Sequence, residues 1–106
     1  MSKPGLRTRR VAELIQEELG RLMIHEFQDA ASGLVTVTRV EVTPDLLQAR
    51  VHLSVFGGDP KAFLDRLEKS KGHIRKALAS RVKLKYNPAL FFSLDEVPNT
   101  QKKSTG

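Results

Sequence analysis

The chain is predicted to be a single α+β domain, a three-stranded sheet with helices packed on one face, in the order helix-strand-strand-helix-helix-strand. Three observations predict it. Apolar residues recur at steps of three and four over residues 7–27 and again over 63–82, the period of amphipathic helices. Residues 34–56 are rich in Val and Thr and alternate as half-buried strands do. A short apolar run over 89–94 follows an Asn-Pro stop. The 106 residues leave room for one core and little more.

In the first helix Val11, Leu14, Ile15, Leu19, Leu22, Met23 and Phe27 make the apolar stripe over Arg7 to Phe27, with Thr8 as a candidate cap. Gly20 inside it costs about 1 kcal/mol of helix propensity. In the first strand, Leu34 to Thr43, Val35 and Val37 are in one phase and Val40 and Val42 in the other. Either a bulge sits near Thr38-Arg39, or Thr36 and Thr38 face the core with Leu34, Val40 and Val42. Thr43-Pro44-Asp45-Leu46 reads as a turn. The second strand places Leu47, Ala49, Val51, Leu53 and Val55 on one face, and Gln48, Arg50, His52 and Ser54 on the other. So short a link makes the pair an antiparallel hairpin.

Gly57-Gly58 breaks the strand, Asp59 offers an N-cap and Pro60 suits the first helical position. The stripe Phe63, Leu64, Leu67 resumes at Ile74, Leu78 and Val82, so two helices, or one sharply kinked, are expected to meet near Gly72. The final strand, Ala89 to Leu94, follows a crossover of about 30 residues, which permits a mixed sheet. Residues 1–6 are expected to be a flexible arm, 7–96 the folded domain and 97–106 a flexible tail.

Several chemistries find no support in the residues. There is no cysteine, hence no disulfide framework and no thiolate site. His25, His52 and His73 are too far apart for a metal-ligand pattern, and Glu17-Glu18 and Asp95-Glu96 read as a solvated helix face and a strand end. Gly57-Gly58 lacks the Gly-Lys-Ser/Thr of a phosphate loop. No apolar run approaches the roughly 20 residues of a membrane span, and Met1 to Gly5 has no signal-like apolar region behind its charge. The expectation is a cytoplasmic, non-catalytic protein without a cofactor or metal, and nothing demands more than a monomer.

Charge is concentrated in one segment. Residues 66–85 hold eight cations and one anion, whereas the other 86 residues hold ten cations and eleven anions, and the chain totals +6. Lys69, His73, Lys76 and Ser80 fall at helical spacing with Arg75 beside them, Ile74 and Leu78 turn inward, and Lys83 and Lys85 continue beyond the helix. A rigid cationic face of this kind suits a phosphate backbone. The candidate RNA contacts are therefore Lys69, Lys71, Arg75, Lys76, Arg81, Lys83 and Lys85, with Arg7, Arg9 and Arg10 as a second group. Tyr86 is the only tyrosine and tryptophan is absent, so backbone and shape should dominate over base stacking. A protein-interaction module docking an acidic partner and a small DNA-binding domain are the competing readings.

The order of residues also resembles a known family. Arg9-Arg10-Val11-Ala12-Glu13-Leu14-Ile15-Gln16-Glu17-Glu18-Leu19 is similar to the opening helix of ribosome-binding factor A. Val35-Thr36-Val37-Thr38-Arg39-Val40-Glu41-Val42 with Asp45-Leu46 and Ala49-Arg50-Val51 resembles that family's hairpin. Gly72-His73-Ile74-Arg75 with Leu78-Ala79, and Pro88-Ala89-Leu90-Phe91-Phe92 with Asp95, resembles its C-terminal half. The resemblance runs in unbroken order from Arg7 to Asp95. It implies a type II KH-like fold and an assembly factor that binds the immature small (30S) ribosomal subunit, acts late in 16S ribosomal RNA maturation near the 5′ end, and is linked to growth in the cold. It also implies an interhelical kink of the form Ala-x-Gly, for which this chain has Ser70, Lys71 and Gly72. The serine hydroxyl is a candidate cap for the following helix.

Overall fold

The computed structural model describes residues 5–28, 33–84 and 87–95. Helix α1 (Gly5–Leu22) runs into a widened π turn (Met23–Phe27), β1 (Leu34–Val42) and β2 (Gln48–Phe56) form the hairpin, α2 (Pro60–Lys69) and α3 (Lys71–Arg81) follow, and β3 (Ala89–Leu94) ends the domain. The sheet order is β1-β2-β3, with β1 antiparallel and β3 parallel to the central strand. This is the KH-like α+β order, with a mixed sheet.

Sequence periodicity accounts for the core. Val35, Val37, Val40, Ala49, Val51, Leu53, Val55, Leu90 and Phe92 turn to one face of the sheet and are buried. Ile15, Leu19, Leu22 and Met23 from the α1 segment, Phe63 and Leu67 from α2, and Ile74 and Leu78 from α3 join them in one cluster. Each Val, Leu, Ile, Phe or Met among them contributes about 1.5–3 kcal/mol by leaving water. Leu47 was expected on the buried face of β2, but it precedes the strand and is half exposed.

The two phases of β1 are reconciled by a bulge. Val37 pairs with Leu53 and Arg39 with His52, which leaves Thr38 as the extra residue. The alternative with Thr36 and Leu34 in the core is excluded, because both are exposed. Gln16 Nε2 donates to the Val37 and Thr38 carbonyls at 3.3 Å, tying α1 to the bulge. On the open face of the sheet His52 is nonetheless buried. Its Nε2 lies 3.1 Å from Glu41 Oε1, and its Nδ1 lies 3.1 Å from Ser93 Oγ and 3.4 Å from Asp95 Oδ1. The Thr38 hydroxyl donates to Asp95 Oδ2 at 2.6 Å. The hydrogen bond from His52, assisted by Arg39 and Arg50, holds the Glu41 carboxyl below its ordinary pKa.

Helix ends follow local chemistry, with three corrections. Asp59 Oδ1 caps α2 by accepting from the N–H groups of Lys61 and Ala62 at 3.1 and 3.2 Å, and Pro60 takes the first position. Helix α1 begins at Gly5, so Thr8 lies inside it rather than capping its start. The α-helical part of this segment stops at Leu22, not Phe27, and the π turn closes it. The carbonyls of Glu26 and Phe27, left over at this helix end, accept from the Arg66 guanidinium at 3.5 and 3.3 Å. Finally, the break between α2 and α3 falls at Ser70, not Gly72, which sits within the first turn of α3. The Ser70 N–H donates to the carbonyls of Arg66 and Leu67, both at 3.1 Å, and its own carbonyl accepts from Ile74 at 2.9 Å. Its hydroxyl makes no capping bond to α3, so the cap expected of the serine is not formed.

At Gly33, positive φ (72°) and crowding coincide. An added Cβ would approach Phe56 O to 2.5 Å and Gly58 N to 2.6 Å, so the entry to β1 requires glycine.

Candidate nucleic-acid interface

Helix α3 lies antiparallel against α1. His73 Nε2 is 2.7 Å from Glu26 Oε1 at one end, and the Arg81 guanidinium is 3.8 Å from Glu18 Oε1 at the other. This arrangement brings the charged segment to the outer side of the helical layer and divides its cations into two groups.

The first group is tied into the fold. Arg75 Nε donates to the Pro88 carbonyl at 3.1 Å, and its Nη2 donates to the Asn87 carbonyl at 2.7 Å, fastening α3 to the chain just before β3. Lys71 Nζ pairs with Glu68 at 2.9 Å and lies 5.4 and 5.7 Å from the ring centres of Phe91 and Phe92. Arg66 lies 5.2 Å over the Phe27 ring while bonding the carbonyls at the end of the π turn. Apart from the Lys71–Glu68 pair, these contacts draw on carbonyl dipoles and ring quadrupoles, which helps a segment with one anion accommodate so many cations.

The second group faces water. Lys69, Lys76 and Lys83 are exposed and make no ion pair among the described residues. Arg81 is half exposed, and at 3.8 Å from Glu18 it balances that carboxylate without hydrogen-bonding it. Lys85 lies outside the described residues. Because Lys69 belongs to the last turn of α2, it does not share one continuous helical stripe with His73, Lys76 and Ser80; the break at Ser70 separates them. The N-terminal cations Arg7, Arg9 and Arg10 are exposed on α1, and Arg7 meets Lys83 at a common groove. Of the kink residues Ser70, Lys71 and Gly72, Lys71 belongs to the first group, and an added Cβ at Gly72 would meet nothing within 4 Å.

Sequence reasoning missed the structural employment of Lys71 and Arg75. Their partners Phe91, Asn87 and Pro88 lie 12 or more residues further on, and no local spacing signals them. Among the described residues no group of His, Asp and Glu is placed to hold a metal ion, and no helix is long and apolar enough to cross a membrane.

Comparison with known proteins agrees with this geometry. A family model described as ribosome-binding factor A matches residues 7–105. The chain belongs to the ribosome-binding factor A family. Ribosome-binding factor A of Brevibacillus brevis is 44% identical over 92 residues, covering 85% of this chain and 76% of that protein. The Halothermothrix orenii protein of the same name is 39% identical over 92 residues, covering 85% of this chain and 75% of its own. The crystal structure of ribosome-binding factor A from Thermus thermophilus superposes with a TM-score of 0.73 at 23% identity, over 82% of this chain and 94% of that one, and shows the shared fold. A second Thermus thermophilus structure, a homology model fitted into the cryo-EM map of a 30S complex, gives a TM-score of 0.65 at 25% identity, covering 87% and 93%.

Proposed function

We propose that this chain is a non-catalytic assembly factor that grips the immature small ribosomal subunit in the cytoplasm through phosphates of 16S ribosomal RNA. Lys69, Lys76 and Lys83 would be the principal contacts, Arg81, Arg9 and Arg10 would add to them, and Arg7 would extend the surface at its end. Lys71 and Arg75 would mainly hold α3 and β3 in position for that contact. The observation that carries this reading is the set of exposed lysines without acid partners on the helical layer of a ribosome-binding factor A family member. A surface lysine binds a phosphate as a point charge, so the grip would follow RNA backbone and shape rather than base identity.

Occupancy by such a binder favours whichever RNA conformation it holds more tightly, and only by that difference in affinity. Acting as a monomer without a cofactor, the protein would stabilise one conformation late in maturation, near the 5′ end of 16S ribosomal RNA. Growth in the cold would depend on this where RNA rearranges slowly. The 30S complex of the Thermus thermophilus relative supports the choice of particle.

The test is a photo-crosslinking residue placed at position 76 in the full chain bound to purified immature subunits. The expected adduct is destroyed by ribonuclease and maps to 16S ribosomal RNA. An adduct surviving ribonuclease would instead support an acidic protein partner, and equal affinity for duplex DNA at matched salt would support a DNA-binding domain.

A further inference from the structure

We propose that the groove between the start of α1, the β1–β2 turn and the segment after α3 docks an acidic peptide carrying apolar side chains, presented by a protein partner. Val11, Leu14, Leu46, Leu84 and Pro88 give it an apolar lining, to which Arg7 and Lys83 add two cations. Leu14 is 46% exposed, although Ile15, Leu19 and Leu22 on the same helix are buried. The helix thus leaves a large apolar side chain in water where it borders this groove.

Leu46 supplies an independent observation. Its φ of 65° places a bulky residue in the left-handed region, where Gly or Asn is the usual occupant. A leucine there is strained, and it persists only where its surroundings hold it. They do. The Leu46 N–H donates to the Thr43 carbonyl at 2.8 Å, the Thr43 hydroxyl donates to Asp45 Oδ1 at 2.6 Å, and the same carboxylate oxygen accepts from the Leu47 N–H at 3.0 Å. The Thr43 oxygen in turn accepts from the Gln48 N–H at 3.1 Å. The turn therefore keeps an apolar side chain at a position where local preference calls for a small or polar one.

Charge and composition select the occupant. Two cations in an otherwise apolar lining complement an anionic, apolar ligand. The described lining has no aromatic ring for a base to stack on and no side-chain amide to read a base edge, which favours a peptide over a nucleotide. The chain's own ends have the wrong sign: residues 1–4 carry Lys3 and no acid, and residues 96–106 carry Lys102 and Lys103 against Glu96. A second copy, at net +6, would be repelled as well. The site goes beyond the RNA reading and does not depend on it, although Arg7 and Lys83 border both surfaces.

The test follows the methyl resonances of Val11, Leu14, Leu46 and Leu84 in the full chain. Three probes are added in turn: a short synthetic peptide with Leu and Glu at helical spacing, its Leu/Lys counterpart, and a single-stranded RNA oligonucleotide. The Leu/Glu peptide is expected to shift these methyls saturably. Leu46→Asn, which tolerates the left-handed backbone, is expected to weaken it on the order of tenfold, as loss of one buried leucine contact implies. Leu14→Gln, on a separate element, should do the same and guards against a local effect of the turn. Absence of shifts, equal shifts from the Leu/Lys peptide, RNA acting in place of the peptide, or undiminished affinity in both variants would each overturn the proposal. Failure of the RNA reading would show in the binding of lysine variants to subunits and leave these methyl shifts as they are.

Discussion

Where α3 packs toward the start of β3, Arg75 reaches the carbonyls of Asn87 and Pro88 and Lys71 lies near the Phe91 and Phe92 rings; on the outer surface Lys76 is exposed and makes no ion pair among the described residues. The same residue types thus do different work according to what the fold places opposite them. Cations over carbonyls and rings are joints, and removing one leaves bonded groups unpaired. Cations over water contribute little to stability and remain available for an external anion. The density of positive charge in residues 66–85 is a sum of both kinds, and the second kind is the one left without an internal partner among the described residues.

The largest expected effect on stability lies at Arg75. Arg75→Ala deletes two hydrogen bonds from a charged donor and should lower unfolding free energy by about 2–3 kcal/mol in a denaturant titration. A loss no greater than that of Lys76→Ala, expected within about 0.5 kcal/mol, would erase the distinction between the two sides. Lys71→Ala should cost about 1 kcal/mol, since a partly exposed ion pair and a ring contact each contribute modestly. Gly72→Ala should act in the opposite direction, raising stability by up to about 1 kcal/mol through helix propensity, because a Cβ there meets nothing. A drop in subunit binding by that more stable variant would mark the kink itself as a contact.

Acid sharpens the comparison most gently. The Arg75 joint ends on carbonyls, which do not titrate, whereas the hairpin relies on carboxylates. Thr43 and the Leu47 N–H hold Asp45 below its ordinary pKa, and His52 does so for Glu41. Carboxyls lowered in the fold contribute stability that is fully present above their unfolded pKa and is lost as pH falls through the folded value. Thermal unfolding followed from about pH 6 to about pH 2 should therefore lose stability in the acid range, with a smaller loss in Asp45→Asn and an unchanged loss in Lys76→Ala.

Much of the fold was legible because periodicity reports burial directly. The stripes of α1, α2 and α3, the alternation of β2, the cap at Asp59 and the bulge offered as one explanation of β1 all follow from side chains partitioning between sheet, helix and water. The kink was legible only to within two residues, since Ser70 and Gly72 are both weak helix formers and the backbone chose the serine. His52 read as a plain outward residue because alternation cannot show that Glu41, Ser93 and Asp95 close over it. The cationic segment was legible as a quantity of charge, but which residues stay free depends on partners from β3 and α1 that are remote in the chain. The groove at Leu46 was illegible for the same reason, since a backbone angle and three separate elements create it.

The most direct measurement is the salt dependence of binding to purified immature small subunits for the unmodified chain, Lys69→Ala/Lys76→Ala and Arg75→Ala. Two lost phosphate contacts should flatten the slope of log affinity against log salt by roughly 1.5 to 2 in the lysine variant. Arg75→Ala, measured where it remains folded, should keep the original slope. An undiminished slope in the lysine variant, or an equal flattening in both, would contradict the division of this charge into joints and contacts.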